Sequence, residues 1–528
     1  MIVSTTVLLV AASVSNIISK FNSRIADSYI ALAIGIIIAY IPILNAWVAP
    51  FHTEVFMIGV VAPLLYIEGQ TTSLSSVKSE LGSIIGVTVT LAVVTAIMTG
   101  FVVNLATTAA ISLPIAFLMA SIATPTDATA SESVRVGLEM PQGVEKMLKM
   151  ESLFNDATGI VLLNGTLLWA TAGQLNVGGS INEFIIAAVG GAFLGIVAAI
   201  TLISFRQGLS RTNMDSTSAQ NLIFIMTPFI VYFLAEELHV SGVIAVVCAG
   251  LLQNNEGQRS RFVNPRQFHN GLQLAELMRE ILNDMVFVIL GIMLVRIFRE
   301  DFGYHLDTHH PFFWIVAGVV MYVMGLLARY LYMRFMRRSR RDSLLFSLGG
   351  VHGAVTLALV FMVHADDIGR SAFSMLVLSE SVLVLLSMIV PTVAFKFLLP
   401  HGLSQREELV ESDRIRQAMV AKAIKAVESM YLPPKVKVSV LYDLRDQVNL
   451  NTLKDFWKVW LISARYPELT PEETELQMRA LRYAFVVERD YLDEISQMEH
   501  MENYVYKIYN DVLLSESILL NSTGKLDD

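Results

Sequence analysis

The feature that most limits the fold of this chain is a series of long apolar segments separated by short polar breaks. Of its 528 residues, 54% are hydrophobic and only 16% are charged, and the mean hydropathy is +0.56. This composition is too apolar for a soluble protein of such length. The sequence therefore predicts an all-α protein that crosses a membrane many times.

Thirteen segments are candidate transmembrane helices. They lie near residues 2–19, 28–46, 53–68, 81–106, 111–133, 147–171, 182–205, 220–236, 240–253, 280–298, 311–333, 343–364 and 371–399. No positive region precedes the first segment, so we expect a retained span with the N-terminus outside, and not a cleaved signal peptide. This orientation places sixteen lysines and arginines in inner loops and three in outer loops. The bias and the odd number of spans predict a cytosolic C-terminus. We expect a multi-pass protein of the plasma membrane because the chain is compact and shows no targeting sequence.

Helix-breaking residues interrupt two of these segments in the middle. The fifth reads Thr-Pro-Thr-Asp at 124–127, where the proline lacks a backbone donor, and the twelfth reads Gly-Gly-Val-His-Gly at 349–353. If the thirteen spans consist of two halves of six that are joined by one linker span, each interrupted span is the fifth of its half. This arrangement is expected of an inverted-repeat transporter with two crossed, discontinuous helices. The simpler alternative is that proline and glycine kink two ordinary packed helices.

The sixth segment carries two carboxylates, a hydroxyl and an amide: Glu151, Ser152, Asn155 and Asp156. Residues 151 and 155, like 152 and 156, are four apart, so all four share one face of a helix. An unpaired charge within a bilayer is costly, and charged side chains there usually line a cavity or a transport path. We expect this face to carry the function.

The chemistry of these groups suits a small monovalent cation. Asp156, Ser152, Thr126 and one or two waters supply the oxygens that a dehydrated sodium ion needs. The same carboxylate can bind a proton, so that cation and proton exclude one another. A bare carboxylate resists crossing hydrocarbon, which favours exchange over leak. Because residue 155 is an asparagine and not a second aspartate, one titrating carrier is predicted, and hence electroneutral exchange.

Other intramembrane charges receive structural interpretations. Glu151 needs a counter-ion, and Arg329 in the eleventh span is the best candidate, which predicts a structural ion pair. Glu68 and Glu380 are predicted to be solvated or to cap helix ends. Asp284 is expected to cap the start of the tenth span.

The sequence changes from mainly apolar to highly charged near His401. This change predicts a transmembrane domain over 1–400 and a cytosolic helical tail over 401–528. The tail contains the capping box Thr-Pro-Glu-Glu at 470–473, which predicts a helix start. We expect a regulatory role, although no motif identifies a ligand. The net charge of −9 without a basic block argues against nucleic acid. The single cysteine excludes an intramolecular disulfide and a cysteine-rich metal site, and no cofactor is predicted.

Four motifs in this order resemble the sodium/proton exchanger family of monovalent cation:proton antiporters, in its Asn-Asp branch. They are Pro-Thr-Asp-Ala at 125–128, Ser-Leu-Phe-Asn-Asp at 152–156, Leu-Leu-Ala-Arg at 326–329 and Gly-Gly-Val-His-Gly-Ala at 349–354. The resemblance implies a thirteen-span fold, a homodimer and an elevator movement. It implies that Asp156 binds ion and proton, that Ser152 and Thr126 are ligands, and that Glu151 pairs with Arg329. It also implies that Asn155 and Asp127 support the crossed helices.

His352 departs from the family, many members of which have arginine at this position. One hypothesis is that it responds to pH, and the other is that it is a neutral histidine bonded to backbone freed by the helix break. The function predicted first is electroneutral sodium/proton antiport, with lithium or potassium as further substrates and potassium/proton antiport as the alternative. An intramembrane hydrolase is disfavoured because no Gly-x-Ser-x-Gly motif or protease-like aspartate pair is present. A channel is disfavoured by the lone buried carboxylate, and we expect no enzyme activity.

Overall fold

The computed structural model describes residues 2–21, 26–49, 52–72, 74, 77, 81–173, 177–210, 217–260, 265–300, 312–400, 405–448, 470–497 and 502–523. Within these ranges the regular structure is helical and contains no strand, which confirms the all-α prediction. The chain forms two compact units, Met1–His401 and Gly402–Asp528.

The helices of the first unit are numbered here in chain order. They are α1 (Ile2–Phe21), α2 (Asp27–Tyr40), α3 (Pro42–Trp47), α4 (Thr53–Phe56), α5 (Ala62–Thr71), α6 (Leu81–Ile85), α7 (Leu91–Ala106), α8 (Leu113–Ile122), α9 (Ala128–Ser133), α10 (Gln142–Ala172), α11 (Val177–Ser210), α12 (Thr217–Glu237), α13 (Gly242–Ser260), α14 (Pro265–Glu300), α15 (Phe313–Phe335), α16 (Arg340–Leu348), α17 (Ala354–Val360), α18 (Ala365–Ile368) and α19 (Arg370–Leu398). Two π-helical turns, Met57–Val61 and Gly86–Thr90, join α4 to α5 and α6 to α7.

Each of the thirteen predicted segments coincides with one helix or with consecutive short helices. Among the described residues, five stretches are long and apolar enough to cross a bilayer: Gly82–Ala106, Asn182–Arg206, Asn270–Arg299, Phe313–Phe335 and Arg370–Leu398. Shorter apolar helices include Val3–Ser19, Asp27–Tyr40, Leu113–Ile122 and Gly242–Asn254. The number of thirteen spans itself stays a prediction.

Two helix starts lie earlier than the apolar windows indicate. α10 begins at Gln142, not at 147, and α14 begins at Pro265, not at 280. Asp284 is therefore a buried residue inside α14, and the prediction that it caps this helix is wrong. Hydropathy marks only the part of a helix that suits the bilayer, whereas the backbone hydrogen bonds continue into polar sequence beyond it.

Both predicted helix breaks are present, and they contact each other. The backbone N–H of Asp127, between α8 and α9, donates to the carbonyl of Val351, between α16 and α17, over 2.8 Å. His352 Nδ1 lies 2.8 Å from the carbonyl oxygen of Pro125. The two discontinuous helices therefore cross, and each break supplies partners for backbone groups that the other leaves free.

Local chemistry accounts for each break. Proline at 125 has no N–H and disfavours helical backbone at Thr124. Asp127 then restarts the helix as the N-cap of α9, where its carboxylate accepts from the backbone N–H groups of Thr129 (2.9 Å) and Ala130 (3.1 Å). At the second break, Gly353 has no side chain, and a Cβ there would collide with the Asp127 carboxylate.

The second unit contains four helices in its described residues. They are α20 (Gln405–Glu428), α21 (Pro434–Asp446), α22 (Pro471–Ser496) and α23 (Glu502–Thr523). At the start of α22 the backbone N–H of Thr470 donates to Glu473 Oε2 (3.0 Å), and the N–H of Glu473 donates to Thr470 Oγ1 (3.3 Å). All four helices contribute to one apolar core, which includes Met419, Val440, Phe485 and Ile508.

Two acidic residues are enclosed within this second unit. Burial raises the pKa of Glu488 to about 8, and the Gln447 side chain partly offsets the effect. Burial likewise raises the pKa of Asp443 to about 6, against a hydrogen bond from Gln477 that lowers it. The unit therefore holds carboxyl groups whose protonation affects its stability near neutral pH.

We expect the Glu488→Gln substitution to remove most of the pH dependence of tail stability. The unfolded carboxyl loses its proton near pH 4.5, whereas the folded one keeps it until about pH 8. Between these values the unfolded state binds fewer protons, so rising pH destabilises the folded tail by about 1.4 kcal/mol per pH unit at most. Hydrogen exchange of residues 471–496 in the full chain, corrected for intrinsic rates, measures this slope.

The variant is expected to show a nearly flat profile, with a residual slope below about pH 6 from Asp443. Glu472→Gln, the same change at an exposed position of the same helix, serves as the control and retains the slope. A wild-type tail with equal protection at pH values across this window would contradict the prediction.

Candidate ion-binding site

One face of α10 packs against the break between α8 and α9. Ser152 Oγ accepts a hydrogen bond from the backbone N–H of Ala128 (3.0 Å). Asn155 Nδ2 donates to Thr126 Oγ1 (2.9 Å) and lies 3.4 Å from the Thr126 carbonyl oxygen. Three residues predicted as ligands or supports, Ser152, Asn155 and Thr126, are thereby brought into one contiguous set.

Gly159 continues this face by one helical turn. A Cβ at this position would collide with the ring of Pro125. The spacing of 152, 155 and 159 matches the helical repeat, so one stripe of α10 follows the irregular backbone from Thr124 to Ala128. The absence of a side chain at 159 permits the close approach.

Asp156 lies on the same side of α10, and only 4% of its surface is exposed. No group in the described part of the chain donates a hydrogen bond to its carboxylate. Among the described residues, the charged side chains that act on it electrostatically are two further carboxylates, Asp127 and Glu68. An enclosed negative charge beside other negative charges requires a proton or a bound cation for compensation.

The proposed ligands keep capacity for a cation while they hold the break. A hydroxyl has one proton and two lone pairs. Ser152 and Thr126 each use one acceptor position in the contacts described above, so a further lone pair remains on each oxygen. Asp127 is more fully engaged, because its Oδ1 accepts from two backbone N–H groups and from Thr129 Oγ1.

Glu151 and Arg329 form a buried ion pair that joins α10 to α15. Arg329 Nη2 donates to Glu151 Oε2 (2.8 Å), Nη1 donates to Oε1, and Nη2 also donates to the Phe346 carbonyl (3.1 Å). The guanidinium lies 4.4 Å from the centroid of the Phe346 ring. Each charge in this pair is compensated locally, in contrast to Asp156.

His352 lies at the crossing point, enclosed between both discontinuous helices. Because the Pro125 carbonyl is an acceptor, Nδ1 of His352 carries the proton and donates to it. The His352 backbone N–H donates to Ser387 Oγ in α19 (3.0 Å). The residue therefore connects the first break, the second break and α19.

The prediction that Glu68 and Glu380 are solvated or cap helix ends is wrong. Glu68 is buried in α5, and Glu380 in α19 has no exposed surface at all. Neither oxygen of Glu380 has a hydrogen-bond partner among the described residues. Both are ionisable residues within apolar segments, and this pattern alone could have marked them as candidate functional residues. The direction in which each side chain points, however, depends on the packing of the helices.

Comparisons with known proteins agree with this architecture. The profile of the family described as "Sodium/hydrogen exchanger, transmembrane" matches residues 5–400. This chain belongs to the sodium/hydrogen exchanger family. The match covers the first compact unit and leaves Gly402–Asp528 outside it.

Individual relatives of this exchanger chain are distant. The "Sodium, potassium, lithium and rubidium/H(+) antiporter" of Bacillus subtilis is 29% identical over 372 residues, which cover 68% of this chain and 55% of that relative. The chain thus spans about half the length of this curated relative. The "Uncharacterized Na(+)/H(+) exchanger YjcE" of Escherichia coli is 26% identical over 80% of this chain and 81% of its own length.

A solved structure has the same fold. The sodium proton antiporter MjNhaP1 from Methanocaldococcus jannaschii is 19% identical, with a TM-score of 0.58. The alignment covers 75% of this chain and 97% of that structure. The expected antiporter fold is therefore present in this exchanger-family chain.

We expect Gly159→Ala to destabilise the exchanger fold, because its Cβ would push α10 away from Pro125. The expected loss is about 1–3 kcal/mol of unfolding free energy, which is typical of overpacking. Gly143→Ala is the matched control on the same helix, where a Cβ meets nothing within 4 Å. Thermal unfolding of the purified protein in detergent should show a lower midpoint for Gly159→Ala and an unchanged or higher midpoint for Gly143→Ala.

Removing one partner of the Glu151–Arg329 pair is expected to be more harmful than removing both. Arg329→Met leaves an uncompensated buried carboxylate, at a cost of about 3–5 kcal/mol. The Glu151→Leu, Arg329→Met double variant removes both charges and should recover much of the thermal midpoint. Arg340→Met, an exposed change of the same kind, is the control. If the double variant is as unstable as Arg329→Met alone, charge compensation is not the main role of this pair.

Proposed function

We propose that this chain exchanges a monovalent cation, preferentially sodium, for a proton at Asp156. The observation that carries the proposal is the enclosed, unpaired carboxylate of Asp156 beside two broken helices. The chain that carries this carboxylate belongs to the sodium/hydrogen exchanger family. Carboxylate, hydroxyl and carbonyl oxygens are the ligands that a hard cation prefers.

The proposed cycle follows from competition at one carboxylate. In one state Asp156, with Ser152 and Thr126 as further oxygen donors, binds the dehydrated cation. In the other state Asp156 binds a proton, and both states neutralise the charge. The bare carboxylate stays on its own side of the membrane, because an uncompensated charge in hydrocarbon is costly. Alternating access with only neutralised states moving gives obligatory exchange.

Electroneutral stoichiometry is part of the proposal. Asn155 uses its amide to hold Thr126 and cannot bind a second proton. Glu151 is compensated by Arg329, so this pair contributes no net charge to the moving part. One proton then exchanges for one cation.

Potassium/proton exchange is the second candidate. The name of the Bacillus subtilis relative includes sodium, potassium, lithium and rubidium, which favours a site of broad cation selectivity. Sodium and potassium use the same ligand types, so the choice between them depends on the size and rigidity of the oxygen cage.

The surrounding organisation is proposed with the function. The transport domain is residues 1–400 in the plasma membrane, with the N-terminus outside and the C-terminus in the cytosol, because of the positive-inside bias. Residues 401–528 form a regulatory tail. A homodimer is proposed because the family resemblance implies one.

Asp156→Asn is expected to abolish exchange. Purified protein in proteoliposomes with an internal pH dye receives sodium, potassium or lithium in turn. Wild type should dissipate a pH gradient with at least one cation, and the variant should lose this activity by about 100-fold or more, because a neutral amide cannot alternate between proton and cation. Asp366→Asn, the same change at an exposed residue of α18, should leave the rate unchanged.

Two outcomes would contradict this proposal. Exchange retained in Asp156→Asn would place the carrier elsewhere, and Glu68 would be the next carboxylate to test because it acts on Asp156 electrostatically. Strong stimulation of exchange by an imposed membrane potential, under voltage-clamping ionophores, would exclude the electroneutral stoichiometry.

A further inference from the structure

A small cavity is lined both by residues of the candidate site and by residues of α15. It has a volume of about 20 Å³ and its lining includes Asn155, Tyr322, His352, Arg329 and Thr126. Asp156 is not part of the lining. A cavity of this size accommodates one water molecule, provided that two to four polar groups bind it.

Asn155 supplies one of these groups. Its Nδ2 must face Thr126, because the Thr126 carbonyl at 3.4 Å can only accept. Its Oδ1 is therefore the other end of the amide, and this atom is buried with no partner among the described residues. The residue is 2% exposed, so bulk water does not satisfy the oxygen.

Tyr322 supplies the second group. Its hydroxyl is also buried and without a partner in the described part of the chain, and the residue is 6% exposed. Tyr322 lies in α15, between Gly318, which packs on α19, and Gly325, which lines the same cavity. A buried tyrosine hydroxyl usually has a hydrogen-bond partner.

His352 supplies the third. With the proton on Nδ1 and directed to Pro125, the other ring nitrogen of a neutral imidazole is an acceptor. Among these three lining residues, the Tyr322 hydroxyl is a donor, and Asn155 Oδ1 and His352 Nε2 are acceptors. A water molecule with two protons and two lone pairs complements this set.

The charge of the lining decides whether the cavity favours a water molecule or a cation. The Arg329 guanidinium and the Glu151 carboxylate both line the cavity and are paired with each other. A cation here would be repelled by Arg329, and the carboxylate beside it is already neutralised by that arginine. A neutral ligand is favoured.

We propose that one buried water occupies this cavity, accepts from Tyr322, donates to Asn155 and His352, and makes Tyr322 a positioning residue for the ion site. Tyr322 acts through the water on the Asn155 amide, and the amide orients Thr126. The consequence for transport rests on the proposed function at Asp156, whereas the water site itself does not.

The direct test is an electron cryo-microscopy map of the wild-type protein at a resolution that shows ordered waters. Density for a single water within hydrogen-bond distance of Tyr322 Oη and Asn155 Oδ1 is expected. A cavity without density would overturn the site. Density that gains scattering when sodium is replaced by thallium would identify a cation and overturn the water. This test stands even if Asp156→Asn retains exchange.

The functional test uses Tyr322→Phe, which removes one hydroxyl and keeps the ring. We expect the cation KM to rise about three- to tenfold, the effect of one hydrogen bond, while kcat stays within about twofold. Tyr330→Phe, the same change on α15 outside the cavity lining, should match wild type. An unchanged KM in Tyr322→Phe would overturn the positioning role.

A double-mutant cycle separates positioning from loose packing. If Tyr322 acts through Asn155, Tyr322→Phe should change KM by less than about 1.5-fold in an Asn155→Ala background. Independent effects in the two backgrounds would overturn the connection. Should Asn155→Ala fail to fold, Thr126→Val, which removes the hydroxyl that the amide holds, replaces it in the cycle.

Discussion

Hydrogen bonding between the breaks of the two discontinuous helices is the interaction on which the rest of this structure depends. Inside a bilayer, a backbone that leaves the helix has no water to bind, so its free N–H and carbonyl groups need protein partners. The N–H of Asp127 meets the carbonyl of Val351, and the carbonyl of Pro125 meets His352. Each break is tolerable because the other lies beside it, although the two are more than 200 residues apart in the chain.

This crossing produces an uneven distribution of charge. Glu151 and Arg329 compensate each other and join α10 to α15, which gives the site a fixed wall. Asp156 lies further along α10, and the charged groups that act on it among the described residues are carboxylates. A paired charge contributes to the scaffold, whereas an unpaired buried charge requires a proton or a cation for compensation. This difference is the basis of the proposal that Glu151 is structural and that Asp156 is the carrier.

Hydrogen bonds between α10 and the first break hold the proposed ligands in place. Ser152 and Asn155 do not simply face a cavity, because both already contact the break between α8 and α9. A cation at Asp156 would therefore meet oxygens whose positions are fixed before it arrives. Such preorganisation reduces the ordering cost of binding. The tail has a different kind of constraint, since Glu488 ties its packing to pH without any contact that the sequence could reveal.

The sequence by itself determined the helical class, the places of the two breaks and the residues grouped on α10. These depend on local physics: apolar length, the missing N–H of proline, the missing side chain of glycine and the helical repeat of 3.6 residues. The pairing of Glu151 with Arg329 could be predicted from the sequence because a buried charge needs a partner and few arginines lie deep in a span.

The tertiary structure alone decided which way the remaining side chains point. Glu380 and Asp284 have the same sequence character as a solvated or capping carboxylate, yet both are enclosed by helices distant in the chain. The oxygens of Asn155 and Tyr322 that lack a partner among the described residues line one cavity only because the tertiary structure brings residues of α10 and α15 to it. Side-chain direction and enclosure depend on contacts between distant segments, and no local pattern encodes them.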